Sequence, residues 1–225
     1  MQKINILGIG LTDYSLKESL VLLDRYAGNG GLNTILYVTT PMLIKAGSDE
    51  EERNSIESID MTLCGDTDIL RVAKIDSAGR LYEVENRVFF KEFLRRLVQS
   101  GRKVYLLDDS EEDMALLKEQ MESYQRGILI GGSDLLTESD EDMEEIINRI
   151  NDVAPAAIIS RISNGRQEKY MARFKALINA EVWLGISKDM ALGTGKRSWR
   201  KKAVDRIYRM IFHRRVNHFK DENGE

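Results

Sequence analysis

Short runs rich in Ile, Val and Leu alternate along this chain with longer segments patterned for helices, and no other feature of the sequence restricts the fold as much. Parallel strands cannot be joined by tight turns, so repeated strand–helix–strand order demands crossover helices and a layered α/β arrangement. Residues 34–39, 60–63, 103–107, 127–130, 156–160 and 181–185 read as strands, and residues 4–9 as the first of the series. Ser15, with Glu18 three residues on, has the form of a capping box for a helix through Tyr26, which Gly28-Asn29-Gly30-Gly31 ends. Phe89, Phe93, Leu94 and Leu97 form one apolar stripe on a helix over 88–100, with Gly101 placed to terminate it. Further helices are expected over 49–58, 110–124, 140–153, 167–178 and 201–216, and a hairpin-like piece over 74–84 bending at Ala78-Gly79.

The expected fold is therefore Rossmann-like α/β, a mainly parallel sheet flanked by helices. Residues 1–195 form this domain, and 196–225 a basic C-terminal helical appendage with a disordered end. Two prolines leave no Pro-rich linker, and one cysteine, Cys64, excludes an intrachain disulfide framework, which suits a reducing cytoplasmic setting. No apolar stretch approaches the roughly 20 residues needed to cross a bilayer, and the apolar run at 4–11 passes straight into Thr12-Asp13, unlike a signal peptide.

The net charge of −4 hides an asymmetry. Residues 196–225 carry ten Lys/Arg against four acids, whereas the remainder carries 23 against 33. Ile207, Met210 and Ile211 share a helical face in that tail, surrounded by Arg206, Arg209, Arg214 and Arg215. A basic amphipathic helix of this kind lies at an anionic membrane surface, though a solvated helix end gives the same run. The acidic body counts against nucleic acid as the partner.

In open parallel sheets ligands sit beyond the carboxyl ends of the strands. Polar and glycine residues gather in those loops: Thr39-Thr40-Pro41, Gly65-Asp66, Asp108-Asp109, Gly131-Gly132, residues 163–169 and Ser187-Lys188-Asp189. The sharpest is Ser163-Asn164-Gly165-Arg166-Gln167-Glu168-Lys169, which follows a strand and opens a helix. Its backbone N–H groups are oriented for an anion, Arg166 offers a planar fork, and Gln167 both donates and accepts. An ordinary capped surface helix reads the same way. Asp108-Asp109 and Asp66-Thr67-Asp68 have the form of carboxylate clips for Mg²⁺. Such acidic runs also open helices, and no metal is assigned.

Several of these pieces, in this order, resemble the WecG/TagA/CpsF family of glycosyltransferases. Ile4-Asn5-Ile6-Leu7-Gly8 is similar to its opening strand, residues 38–41 to its valine-threonine-proline strand end, and Asp60-Met61-Thr62-Leu63 to the strand before its catalytic loop. Arg166-Gln167-Glu168-Lys169 resembles the second half of its glycine-serine-proline-arginine-glutamine-glutamate run, and 206–215 its arginine-rich tail. The resemblance implies transfer of an N-acetylmannosamine-like sugar from a UDP-sugar to a polyprenyl-diphosphate-linked sugar, with inversion and without metal or cofactor. It implies a cytoplasmic protein peripheral to the inner face of the cell membrane, able to self-associate or to pair with a related glycosyltransferase. On this alignment Thr40 and Asp66 are catalytic, Asn164, Arg166, Gln167, Glu168 and Lys188 bind the donor, and Arg206, Arg209, Arg214 and Arg215 face acceptor and membrane.

The chain departs from the family pattern at ligand-side positions. Its aspartate-glycine pair is reversed to Gly65-Asp66, its asparagine is Met42, and two glycine pairs are replaced by Asp108-Asp109 and Ser187-Lys188. The alternative reading is thus a catalytically degenerate relative that serves as a binding or partner subunit.

Overall fold

A computed structural model of the chain describes residues 2–136, 143–163, 165–190 and 199–223, the last segment with its side chains from Val204 onward. The apolar run at the N-terminus does not enter the main sheet. It folds back as an antiparallel hairpin, β1 (Gln2–Ile6) and β2 (Ile9–Asp13), closed by Ile6 opposite Ile9. Leu7 and Gly8 between them take φ of 57° and 79°, the two left-handed residues of a tight turn whose twist matches its strands. The expected single strand over 4–9 is therefore two, because Gly8 permits the reversal. Ile4, Ile6, Ile9 and Leu11 bury the hairpin against the domain, with β2 lying beside β4 (Met61–Cys64).

Six parallel strands form the sheet, in the order β4-β3-β8-β7-β5-β6. They are β3 (Asn33–Val38), β4, β5 (Lys103–Asp108), β6 (Leu129–Leu135), β7 (Ala157–Arg161) and β8 (Val182–Gly185). Every residue of β3, β7 and β8 is buried, as strands covered on both faces must be. On one face, α1 (Leu16–Tyr26), α6 (Val88–Gln99) and α7 (Glu111–Tyr124) bring Leu23, Phe93, Leu117 and Met121 against Ile35, Leu106 and Ile159. On the other, α2 (Thr40–Ala46), α3 (Glu50–Glu57), α8 (Met143–Val153) and α9 (Arg166–Phe174) bring Leu43, Ile56, Ile150 and Met171 against Leu36, Leu107, Ile158 and Trp183.

Local chemistry accounts for most helix starts. The Ser15–Glu18 capping box forms, Asp49 and Ser110 cap their helices through side-chain oxygens, and Pro41 sits in the first turn of α2. Two expectations are corrected. The stretch over 74–84 is no hairpin: it contains α5 (Ala78–Glu85), because Leu81 and Val84, three apart, both face the core. Gly131-Gly132 is no ligand loop but lies within β6, the edge strand. A Cβ on Gly132 would stand 2.5 Å from the Tyr105 ring, and one on Gly131 2.6 Å from Val153. Packing demands those glycines.

Chain connections diverge between β5 and β7. From β5 the chain passes through α7 outward to β6, and from β7 through α9 inward to β8. That makes the β5/β7 edge a switch point. The basic tail forms α10 (Trp199–Asn223), longer at both ends than expected. Phe212 and Val216 bury one face against the domain, the Arg215 guanidinium donates to the Ile44 carbonyl at 2.9 Å, and Phe219 reaches the hairpin turn at Gly8. Replacing Phe212 by Ala should lower unfolding free energy by about 3–5 kcal/mol and make residues 199–223 the first site of limited proteolysis. Thermal melts and timed digestion check this, and an unchanged cleavage pattern would show that the tail is held by other contacts.

Candidate active site

Two helix starts meet where β3 and β4 end. Thr40 opens α2, so its N–H is one of the donors that the first helical turn leaves without an intrahelical partner. It donates to Asp66 Oδ2 at 2.7 Å, and the Thr40 hydroxyl donates to Asp66 Oδ1 at 2.8 Å. Asp66 is also the N-cap of α4 (Thr67–Val72), accepting from the Ile69 N–H at 3.3 Å. One carboxylate thus caps its own helix and ties down the start of another. The Gly65-Asp66 order has a steric reason. A Cβ at residue 65 would come within 2.8 Å of both the Val38 carbonyl and the Thr39 methyl, so residue 66 carries the side chain. The reversal from the family order still delivers the carboxylate to Thr40.

Burial pushes the Asp66 pKa above the usual carboxylate range, against the lowering effect of the Thr40 N–H and hydroxyl, while Asp68 nearby raises it further. A carboxylate with raised affinity for a proton, at the edge of a cavity, has the character of a general base.

That cavity holds about 370 Å³. Thr39, Thr40, Gly65 and Asp66 line one part of it, Arg87, Lys91 and Tyr124 another, and the start of α10 contributes Val204, Asp205, Tyr208 and Arg209. Arg87 is the N-cap of α6 in a left-handed conformation, φ 55°, and is only 9% exposed. A non-glycine residue held there signals a position that the surroundings over-determine. Lys91, one turn on, places its ammonium 5.1 Å from the centre of the Tyr124 ring, a cation–π distance. Arg209 donates from Nε to Asp68 Oδ2 at 2.7 Å, and Arg71 meets the same carboxylate at 3.2 Å. The appendage therefore contacts the first turn of α4, two residues from Asp66.

Thr40 and Asp66 share this cavity, which Arg209 also lines; Arg166 and Gln167 of the β7–α9 segment are not among its lining residues. Gln167 is fully buried. Its Oε1 accepts from the Ser160 hydroxyl at 2.9 Å and the Ile162 N–H at 3.3 Å, while Ser160 accepts from the Trp183 indole at 2.8 Å. Gly185 makes room for it, since a Cβ there would lie 2.9 Å from Gln167 Nε2. Glu168 accepts from the Gly165 N–H at 2.8 Å, capping its own helix, and burial raises its pKa. The Arg166 guanidinium lies 5.5 Å from the Tyr170 ring centre. Asn164 falls outside the described residues. Lys188 is engaged by Asp109 and Asp113. Arg206 and Arg214 are exposed on α10.

Sequence reasoning overlooked Arg87, Lys91 and Tyr124. Their only signal was two cations flanking the start of an aromatic-striped helix, and only the fold brings Tyr124, the last residue of α7, beside them.

The profile of the glycosyl transferase WecG/TagA/CpsF family matches residues 4–219. No curated protein matches the chain.

The raised Asp66 pKa carries a sign for stability. A folded state that holds a proton more tightly than the unfolded chain is favoured at low pH, and that advantage is lost as pH rises through the folded pKa. Stability of the wild type relative to Asp66→Asn should therefore decline as pH climbs out of the ordinary carboxylate range. Thr40→Ala, which deletes a donor to the ionised form, should move the Asp66 midpoint higher still. Titration of the Asp66 carboxyl carbon by NMR reads both effects, and a midpoint that falls in Thr40→Ala would contradict the hydrogen-bond assignment.

Proposed function

Since the chain belongs to the WecG/TagA/CpsF family of glycosyltransferases, we propose that it moves an N-acetylmannosamine-like sugar from a UDP-sugar to a polyprenyl-diphosphate-linked sugar in cell-surface polysaccharide synthesis. The Thr40–Asp66 pair at the cavity edge is the observation that carries this reading. The family places the chain among sugar-transferring enzymes; donor, acceptor and stereochemistry are our assignments.

In this reading Asp66 takes the proton from the acceptor hydroxyl as its oxygen attacks the anomeric carbon of the donor. The bond from that carbon to the diphosphate breaks, its electron pair leaves with UDP, and single displacement inverts the configuration. Thr40 fixes the carboxylate through two donated hydrogen bonds, so its orientation costs no reorganisation at the moment of reaction. Arg87 and Lys91 bring positive charge to the cavity, where a leaving diphosphate needs it; Asp68, Glu85, Asp189 and Asp205 line it too, and Arg209 is paired with Asp68. Gln167, Glu168 and Arg166 then serve by holding the β7–α9 junction.

We assign α10 a double duty. Its buried face anchors the appendage, while Val204, Ile207 and Met210 are 48, 52 and 66% exposed, with Arg206 and Arg214 exposed among them. Apolar side chains flanked by arginines suit the boundary of an anionic bilayer, where a lipid-linked acceptor resides. None of the described helices is long and apolar enough to cross a membrane, so this assignment is of a helix lying at the surface of the inner leaflet.

Asp66→Ala should lower kcat by roughly 10²–10⁴-fold and, since it also deletes the N-cap of α4, lower stability by about 0.5–2 kcal/mol; Thr40→Ala should lower kcat by a smaller factor, in assays with UDP-sugars and a lipid-diphosphate-linked sugar. Equal turnover in wild type and Asp66→Ala would remove Asp66 as the base. Absence of turnover by the wild type across UDP-sugars would favour a partner subunit instead. Ile207→Glu with Met210→Glu should cut co-sedimentation with phosphatidylglycerol vesicles several-fold at low salt, and unchanged partitioning would rule out this face as the membrane contact.

A further inference from the structure

Among the described residues, three carboxylates come together in one place, at the β5/β7 switch point. Oxygens of Asp108, Asp109 and Asp113 lie within 4.8 Å of one another. Asp108 ends β5 and is 0% exposed; one of its oxygens, Oδ2, has no hydrogen-bond partner among the described residues, while Oδ1 accepts from the Asp109 N–H at 2.8 Å. Like charges this close raise each other's energy, which a shared proton or a neighbouring cation relieves.

The cation present is a side chain. The Lys188 ammonium, from the loop after β8, contacts Asp109 Oδ1, lies 2.8 Å from Asp113 Oδ2 and 3.5 Å from Asp108 Oδ1. Asp109 is held from its other oxygen by the N–H of Ser163 at 3.0 Å and by the Ser163 hydroxyl, from the loop after β7. Arg161, more deeply buried than Lys188, is a second cation at the cluster, its Nη1 3.5 Å from Asp113 Oδ1. One ammonium thus joins the loop after β8 to β5 and α7, and through Asp109 to the loop after β7.

We propose that Lys188 is the resident cation of a three-carboxylate site, its ammonium standing where a divalent metal ion would otherwise be needed to hold these strand ends together. Oxygens of three carboxylates converging on one point form a donor set for a hard cation such as Mg²⁺ or Mn²⁺. An ammonium suits the same place as a compact, strongly hydrated point charge with three donors, and it cannot be lost by dilution. Lys188 is accordingly a positioning residue rather than a phosphate ligand. Its charge is committed inside the molecule, and without it the cluster becomes a vacant divalent-cation site.

The test uses the full chain and Mn²⁺ as the probe, with binding and melting as readouts, so it stands whether or not the chain turns over a sugar nucleotide. Lys188→Met keeps the side-chain length and removes the charge. It should bind one Mn²⁺ at least tenfold more tightly than wild type by calorimetry, melt below wild type without metal, and recover part of that loss when Mn²⁺ is added. Adding Asp108→Asn to Lys188→Met should abolish the extra binding. Equal Mn²⁺ affinity in wild type and Lys188→Met, whether both bind or neither does, overturns the proposal. Should Lys188→Met not accumulate as folded chain, refolding with and without Mn²⁺ decides. Recovery only with Mn²⁺ supports the resident-cation role, and failure in both, with Lys188→Met/Asp109→Asn folding normally, overturns it.

Discussion

The carboxylate of Asp66 accepts hydrogen bonds from the starts of two helices, and the geometry of the candidate site follows from that. β3 and β4 are neighbours in the sheet, so α2 and α4, which leave their ends, begin side by side. Each first turn presents N–H groups that need an acceptor. A single carboxylate meets the Thr40 and Ile69 N–H groups and the Thr40 hydroxyl together. These bonds favour its ionised form while burial disfavours it, and burial wins. The result is a carboxylate whose direction is set by two backbone N–H groups and one hydroxyl. Removing its partners would change both its proton affinity and its aim.

Around this pair the molecule separates two kinds of electrostatic work along the same sheet edge. Between β5 and β7, Lys188 is bound to three carboxylates and knits loops together. In the cavity beside Asp66, Arg87, Lys91 and Arg209 face space large enough for a ligand. The substitutions that set this chain apart from its family pattern, Asp108-Asp109 and Ser187-Lys188, fall together in the first group. Lys188 offsets part of the negative charge of the acids beside it. Two departures that look damaging one at a time become a single internal ion cluster. The appendage joins the second group, since Arg209 contacts Asp68 while the exposed side of the same helix carries Val204, Ile207 and Met210.

The strand framework was legible because a strand buried on both faces must be a run of apolar residues, and β3, β7 and β8 show such runs with little ambiguity. Capping chemistry at Ser15 was legible for the same local reason: a side-chain oxygen three residues before its backbone partner is a property of sequence spacing. The errors have local causes too. Leu7-Gly8 splits an apolar run that periodicity alone reads as continuous, and Ala78-Gly79, taken for a bend, opens a helix whose Leu81 and Val84 find the core. Gly131-Gly132 carries a turn signal, yet it answers to the Tyr105 ring and Val153, which are remote in sequence.

By itself the sequence determined the layered α/β class, the parallel sheet, the basic helix at the end of the chain and the presence of Thr40 and Asp66 in loops at the strand ends. Each of those depends on interactions between residues a few positions apart, or on the need to bury an apolar run. Only the tertiary structure decided that Thr40 and Asp66, 26 residues apart, share hydrogen bonds, that Gln167 turns inward to Trp183 and Ser160, and that Lys188 joins Asp109. Charge partners are chosen by distance in space, and that distance exists only once the sheet has set which loops are neighbours.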